Sequence, residues 1–263
     1  MLRRIRCFIF ISVANMMIVS CAQVPHPNPQ DPLESFNRGV YGFNRTVDRG
    51  LIKPVAFLYW KYIPKEIQGS IGHFYDNLNE IPNVANDILQ FRPAYAVHDT
   101  TRFLINTTLG MLGFFDVADS LGLEQHKNDF GQTLYHWGYK NSSYLVLPLL
   151  GPSTFRDGIG FVVDYAALSI WPWVDSDWRC ILLGIDIIDT RARLLRNETV
   201  IDVVALDEYA FVRDAYFQRR QYLFNQGKED DDELQPLDNL GNEVYPENAE
   251  STNLQNTENK NKI

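Results

Sequence analysis

Between residues 31 and 224 apolar side chains recur at three- and four-residue steps, and alternation with a period of two is nearly absent. That spacing collects apolar residues along one side of an α-helix and does not suit a half-buried strand. One stripe is Leu33, Phe36, Val40, Phe43 and Val47, and a second is Ile81, Val84, Ala85, Ile88 and Leu89. Val97, Thr101, Leu104, Ile105, Thr108 and Leu112 make a third, and Ile159, Val162, Val163 and Ala166 a fourth. Stretches at about 178–196 and 200–224 complete the set, the last aligning Tyr209, Val212, Tyr216 and Leu223. Pro54, Pro64, Pro82, Pro93, Pro148, Pro152 and Pro172 stand at or near segment ends, where a helix breaker belongs. Asp31, Pro32 and Glu34 read as N-cap, first helical residue and N3 of the opening helix, and Thr154 with Asp157 as a later start. The expected fold is all-α, a multi-helix domain of amphipathic helices. One small hairpin is allowed, pairing Leu134–Trp137 with Tyr144–Leu147 across Gly138 to Ser143.

The ends of the chain read differently. Arg3, Arg4 and Arg6 precede an apolar run from Cys7 to Val19, which breaks at Ser20-Cys21. A basic start, a short apolar region and a small residue before the cut describe a secretory signal peptide over residues 1–20. The run is too short for a span of roughly 20 residues. An apolar residue, a small residue and then Cys also resembles a bacterial lipobox. The resemblance implies cleavage before Cys21, with an N-acyl group and an S-diacylglycerol on that residue, while an ordinary cleavage site is the alternative. Ala22, where Asp would hold the protein back, fits onward sorting to the outer membrane. Residues 21–30 then form a lipidated, proline-rich tether, the domain covers 31–226, and 227–263 is an acidic tail. That tail carries ten Asp or Glu against three Lys and is expected to be disordered. Cys180 has no cysteine partner once Cys7 leaves and Cys21 is acylated, and its apolar neighbours suggest a buried, inert thiol.

Charge narrows the function classes. Without the three signal arginines, 21 basic residues face 33 acidic ones, a net charge of −12. Such a chain is a poor nucleic-acid binder, since phosphate neutralisation needs Lys and Arg. Nor would anionic lipid heads attract it, so membrane attachment must come from acyl chains and apolar surface. Phe, Tyr and Trp total 34, and three of the five Trp fall at Trp171, Trp173 and Trp178. Trp favours the level of lipid headgroups, but a Trp-rich core corner reads equally well.

No catalytic motif is present. There is no Gly-x-Ser-x-Gly elbow, His-Glu-x-x-His, phosphate-binding loop or paired Cys-x-x-Cys. Asp129-Phe130-Gly131 matches a kinase triplet with nothing else of a kinase around it. His26, His73, His98, His126 and His136 show no metal-ligand spacing, and each reads as a surface or hydrogen-bonded histidine, so no metal is expected. Asp186 and Asp189, with Arg193 four residues beyond Asp189, read as a solvated or salt-bridged helix face.

Longer blocks say more. Asp31-Pro32-Leu33-Glu34-Ser35-Phe36-Asn37-Arg38 with Tyr41-Gly42-Phe43-Asn44 opens the series. Arg102–Gly110 running into Gly113–Ala118, Asp129–Leu134, Leu147–Ser153 with Arg156-Asp157, and Tyr209–Arg220 follow in order. These blocks resemble the MlaA (VacJ) lipoprotein family over most of residues 31 to 224. The resemblance implies a helical, ring-like lipoprotein in the periplasm-facing leaflet of the outer membrane. It further implies partnership with a trimeric porin and transfer of phospholipid to a soluble periplasmic carrier, without covalent chemistry. Within that picture Phe36, Asn37, Val40, Phe43 and Asn44 are candidates to line the lipid path, and the alternative is that their stripe is core. Arg156 and Asp157 could orient a headgroup or pair and cap locally, and the local role is the one expected, while Gly110 and Gly113 are expected to permit a close turn or helix contact. Two other classes compete: a scaffold lipoprotein that moves no lipid, and a lipid hydrolase whose nucleophile and base the sequence does not supply.

Overall fold

A computed structural model describes residues 28–204 and 207–233. The signal peptide, Cys21, the tether up to residue 27 and the tail from residue 234 lie outside the described residues. Nine α-helices and one hairpin are described: α1 (Glu34–Val47), α2 (Lys53–Tyr62), α3 (Lys65–Leu89), α4 (Pro93–Thr108), α5 (Val117–Ser120), α6 (Phe130–His136), β1 (Tyr144–Leu147), β2 (Gly151–Thr154), α7 (Phe155–Val163), α8 (Ser176–Val204) and α9 (Glu208–Glu233). π-helical turns follow α1 (Asp48–Ile52) and α7 (Asp164–Leu168), and a 3₁₀ turn spans Trp171–Trp173. Helix α3 packs along α4 and against α8, α2 lies on α8, and α6 packs on α7. The fold is helical, as the periodicity requires. From Phe224 onward the described residues contribute only the end of α9, which continues to Glu233 through residues expected as tail. Extending an existing helix adds a hydrogen bond per residue without a new nucleus.

Several local expectations change. The hairpin is real but pairs forward: β1 and β2 run antiparallel with Tyr144 opposite Thr154 and Leu147 opposite Gly151. Leu134 to His136 lie in α6 instead, because Asp129 caps that helix, its Oδ1 accepting from Gln132 N at 2.8 Å. Pro82 sits inside α3 rather than at its start, and α3 is continuous over 25 residues. Asp31 does not cap α1: Leu33 is the N-cap, and no side-chain cap bond is present. The Asp31 carboxylate is fully buried and engaged elsewhere, accepting from Asn37 Nδ2 at 2.8 Å and Tyr209 OH at 2.5 Å. Thr154 caps α7 as expected, taking Asp157 N at 3.1 Å. Gly113 adopts a left-handed φ of +93°, and a Cβ there would lie 2.5 Å from that of Asn77; one at Gly110 would meet Phe115 O at 2.2 Å. The expected close turn is present.

Helix α1 is fixed to the hairpin through amide side chains. Asn37 donates to Tyr144 O at 3.2 Å and accepts from Val146 N at 2.9 Å. Two turns on, Asn44 repeats the clamp, donating to Leu147 O at 2.9 Å and accepting from Leu149 N at 2.8 Å. Each asparagine thus satisfies both a carbonyl and an amide, Asn37 on β1 and Asn44 at the end of β1 and in the turn beyond it, which spacing of seven on a helix makes geometrically natural. Val40, between them, joins Tyr144, Val146 and Tyr209 in a small core, with Phe36, Tyr41, Tyr216 and Phe217 packed against it. Asn37→Ala would leave a buried amide and carboxylate oxygen unpaired, at about 1–3 kcal/mol each. We expect unfolding to come at clearly lower denaturant in detergent for Asn37→Ala, and Asn37→Asp not to restore it, because an acceptor-only side chain faces Asp31 and the Tyr144 carbonyl.

Candidate functional site: a polar cleft under an apolar surface

The helices are turned the opposite way from an ordinary globular protein. Among the described residues, 20 polar or charged side chains are buried against ten hydrophobic ones, while 35 large hydrophobic side chains are exposed. On α3 the apolar stripe does not face inward: Glu80, Asn83, Asn86 and Asp87 are buried and Ile88 is 60% exposed. On α4, Asp99, Arg102 and Asn106 are buried while Val97 and Leu104 are exposed, and Ile159 and Val162 of α7 follow suit. Cys180, expected to be buried, is exposed for the same reason, on a helix that also exposes Trp178, Ile181 and Ile185. Trp171 is buried, but Trp173 is 89% exposed. Four bulky residues, Phe91, Met111, Leu112 and Leu149, hold left-handed φ values of 52–65° at exposed turns. Each costs roughly 1 kcal/mol or more of backbone strain, a conformation kept where function demands it.

Glu80, Asn83, Asn86, Arg102 and Asn106, buried on α3 and α4, belong to one hydrogen-bonded network with α5, α6 and the segment between them. Arg102 donates to Glu80 at 3.1 Å and to Asp116 at 3.1 Å, and its Nη1 reaches Leu123 O. Asn106 bridges Asp116 Oδ1 at 3.0 Å and Ala118 N at 2.9 Å. Asn83 holds the segment between α5 and α6, donating to His126 O at 2.9 Å and accepting from Asn128 N at 3.2 Å. Asn86 donates to Asp164 Oδ1 at 2.8 Å and accepts from Thr133 Oγ1 at 2.7 Å. Desolvation pushes Glu80 up and carries Asp87 to about 7, Asp87 lying within hydrogen-bonding reach of Asp99. At Asp116 desolvation is outweighed by Asp119 N, Asn106 and Arg102, which hold the carboxyl below its usual range. A second knot joins α6, α7 and α9: Arg220 pairs with Asp129 at 2.5 Å and Asp157 at 2.9 Å. Arg156 also pairs with Asp157, at 2.9 Å, so the expected local role holds.

This network frames a cleft of about 280 Å³. Asp76, Asn79, Pro82 and Asn83 of α3 form one wall, and Gln125, Lys127, Asn128 and Asp129 a second. Phe161, Asp164, Tyr165, Ser169 and Trp171 close it with three aromatic faces among polar groups. Such a lining suits an amphipathic ligand, polar at one end and apolar at the other. Beside the second wall in sequence, His126 and the α4 residue His98 both turn Nδ1 to Asp99 Oδ1, at 3.0 and 2.9 Å. The Asp99 hydrogen bond is the main cause holding His126 above its ordinary value.

Comparison with known proteins fits this arrangement. The model of the MlaA lipoprotein family matches residues 29–223. The chain belongs to that family. It is similar to the intermembrane phospholipid transport system lipoprotein MlaA of Escherichia coli (strain K12), 35% identical over 237 residues, which cover 87% of this chain and 91% of that one. The Haemophilus influenzae protein of the same name is 34% identical over 75% of this chain and 80% of its own. A solved structure described as the structural basis for maintenance of bacterial outer membrane lipid asymmetry aligns with a TM-score of 0.66 and 33% identity, covering 74% of this chain and 99% of that one.

Of the five α1 residues picked out from the sequence of this MlaA family member, Asn37 and Val40 are buried, Phe36 is partly buried against the core, and Asn44 bonds the hairpin. Phe43 is 40% exposed, and none of the five is among the residues lining the cleft. Apolar periodicity does not mark the lining residues. The signal of those on α3 is the opposite stripe, Asp76, Asn79 and Asn83, at the same three- and four-residue steps. The knot of Asp157 and Arg220 was likewise invisible at a separation of 63 residues.

Asp164 supplies a test of the cleft's electrostatics. Desolvation raises its pKa to about 6, against bonds from Phe130 N and Asn86 that favour the charge. With the folded pKa above the unfolded value, the folded state keeps a proton between roughly pH 4 and 6 that the unfolded chain has released. Stability contributed by this group is therefore present below that window and is lost as pH rises through about 6. Unfolding midpoints from pH 4 to 7.5 should show a fall that Asp164→Asn flattens; an unchanged slope would remove Asp164 as its source.

Proposed function

We propose that this protein is the outer-membrane lipoprotein of a phospholipid transport system, removing misplaced phospholipids from the outer leaflet and handing them to a soluble periplasmic carrier. The observation that carries this reading is the inversion of the fold: apolar side chains cover the outside and polar ones fill the inside. Burying apolar area contributes about 25 cal/mol per Å², so 35 exposed large side chains in water would be a severe liability, and hydrocarbon removes it. No described helix is long and apolar enough to cross a membrane. The body therefore lodges in one leaflet, the periplasm-facing one, with acyl chains on Cys21 as the anchor. A trimeric porin would cover part of the apolar belt. The cleft then offers a phospholipid's polar head a route past Asn79, Asn83 and Lys127, with Phe161, Tyr165 and Trp171 against its chains. Phe43 remains available to acyl chains from α1.

The deciding experiment is rescue of a deletion strain, read as phospholipid in the outer leaflet. Gln125→Trp places an indole in the cleft; we expect a normally folded, membrane-associated protein that fails to clear phospholipid. Rescue equal to wild type would favour a scaffold that moves no lipid. Leu112→Asn probes the surface separately. Asn tolerates left-handed backbone, so the variant should unfold no earlier than wild type while clearing less phospholipid. Cys21→Ser should abolish lipid attachment and lower the amount of protein reaching outer-membrane fractions, and an unmodified Cys21 in the wild type by mass spectrometry would remove the anchor from the account.

A further inference from the structure

We infer that His98, Asp99 and His126 form a binding site for a zinc-class divalent cation. The three ligand atoms, two imidazole nitrogens and a carboxylate oxygen, all lie within 4.8 Å of one another. Bonds of about 2.0–2.2 Å in a tetrahedral site place donors roughly 3.3 Å apart. Two of the separations here, 2.9 and 3.0 Å, are a little shorter than that, and the third lies within 4.8 Å, so a cation needs small ring movements to take all three donors. Two His and one carboxylate leave a fourth position for water, and with rings a quarter to a third exposed the cluster is open to solvent on one side.

Asp99 is fully buried, and its Oδ1 is the common partner of both imidazoles, so the three donors already converge on one point. Charge points the same way. Glu80, Asp87 and Asp99 are buried close together, and Arg102 is shared between Glu80 and Asp116. A dication held by His98, Asp99 and His126 would balance part of that buried negative charge.

The site joins separate pieces of chain. His98 and Asp99 belong to α4, and His126 to the segment between α5 and α6, whose neighbours Gln125 and Lys127 line the cleft. Bound metal would fix that wall against α4. The inference does not rest on lipid transfer, and metal binding can be measured without it.

The test uses the full-length protein in detergent, purified without a polyhistidine tag. Stripped protein is titrated with Zn²⁺ against a chromophoric chelator, and with Co²⁺ read by its visible d–d absorption. One equivalent is expected. His126→Gln, at a partly exposed ring, should weaken Zn²⁺ at least tenfold and abolish the Co²⁺ spectrum, with unchanged helical circular dichroism; His98→Gln should do the same. EDTA should lower the Tm of wild type and leave that of His126→Gln unmoved. Wild type that takes up no Zn²⁺, or takes it up as His126→Gln does, overturns the site and leaves the two histidines as hydrogen-bond donors to Asp99.

Discussion

Arg102 sits where this fold is decided. A fully buried guanidinium on α4 engages Glu80 on α3, Asp116 at the start of α5 and the Leu123 carbonyl of the segment beyond. Burying a charge is costly unless it is paired and hydrogen-bonded. Once Arg102 is inside, its carboxylates must be inside too, and their remaining oxygens need amides. Asn83 and Asn106 answer that need, and Asn86 extends the network to Thr133 and Asp164. The polar interior follows from that chain of obligations, with the packing of α3 on α4 as its frame.

The apolar exterior follows in turn. A helix that turns Glu80, Asn83 and Asn86 inward must turn its apolar stripe outward, since both stripes share one 3.6-residue period. Water penalises that orientation and a hydrocarbon surround rewards it. Strained turns at Phe91, Met111, Leu112 and Leu149 fit the same environment, presenting large apolar side chains where an aqueous turn would use Gly or Asn. Small cores such as the one around Val40 and Tyr144 hold local pieces together, and the ionic and amide network does what a larger core does elsewhere.

The cleft is held firmly by its own lining. Its polar groups are tied to one another: Asp164 accepts from Asn86 and Phe130 N, and Asn128 bonds Asp87 and Gln90. Groups so engaged make a firm, mildly polar wall. The relatives bearing the MlaA name, components of an intermembrane phospholipid transport system, align with this chain over most of both sequences, and a solved structure concerned with outer membrane lipid asymmetry aligns with its fold.

Helical class, segment spacing, the Thr154 cap, the Gly110–Gly113 turn and family membership were legible from residues alone, because each rests on local backbone chemistry or on long blocks in fixed order. The Asp189–Arg193 pair was legible too, at 2.8 Å one helical turn apart. The direction each stripe faces was not: periodicity defines two faces of a helix but says nothing about the medium outside it. Nor could spacing show that Asn37 and Asn44 would clamp β1, or that β1 would pair forward with β2, since both are choices between partners far along the chain. His98 and His126 come together only because α3 holds α4 on one side and the segment before α6 on the other. The sequence by itself determined which elements form; the tertiary structure decided which side of each faces inward, because one buried ionic network had to be satisfied in every direction at once.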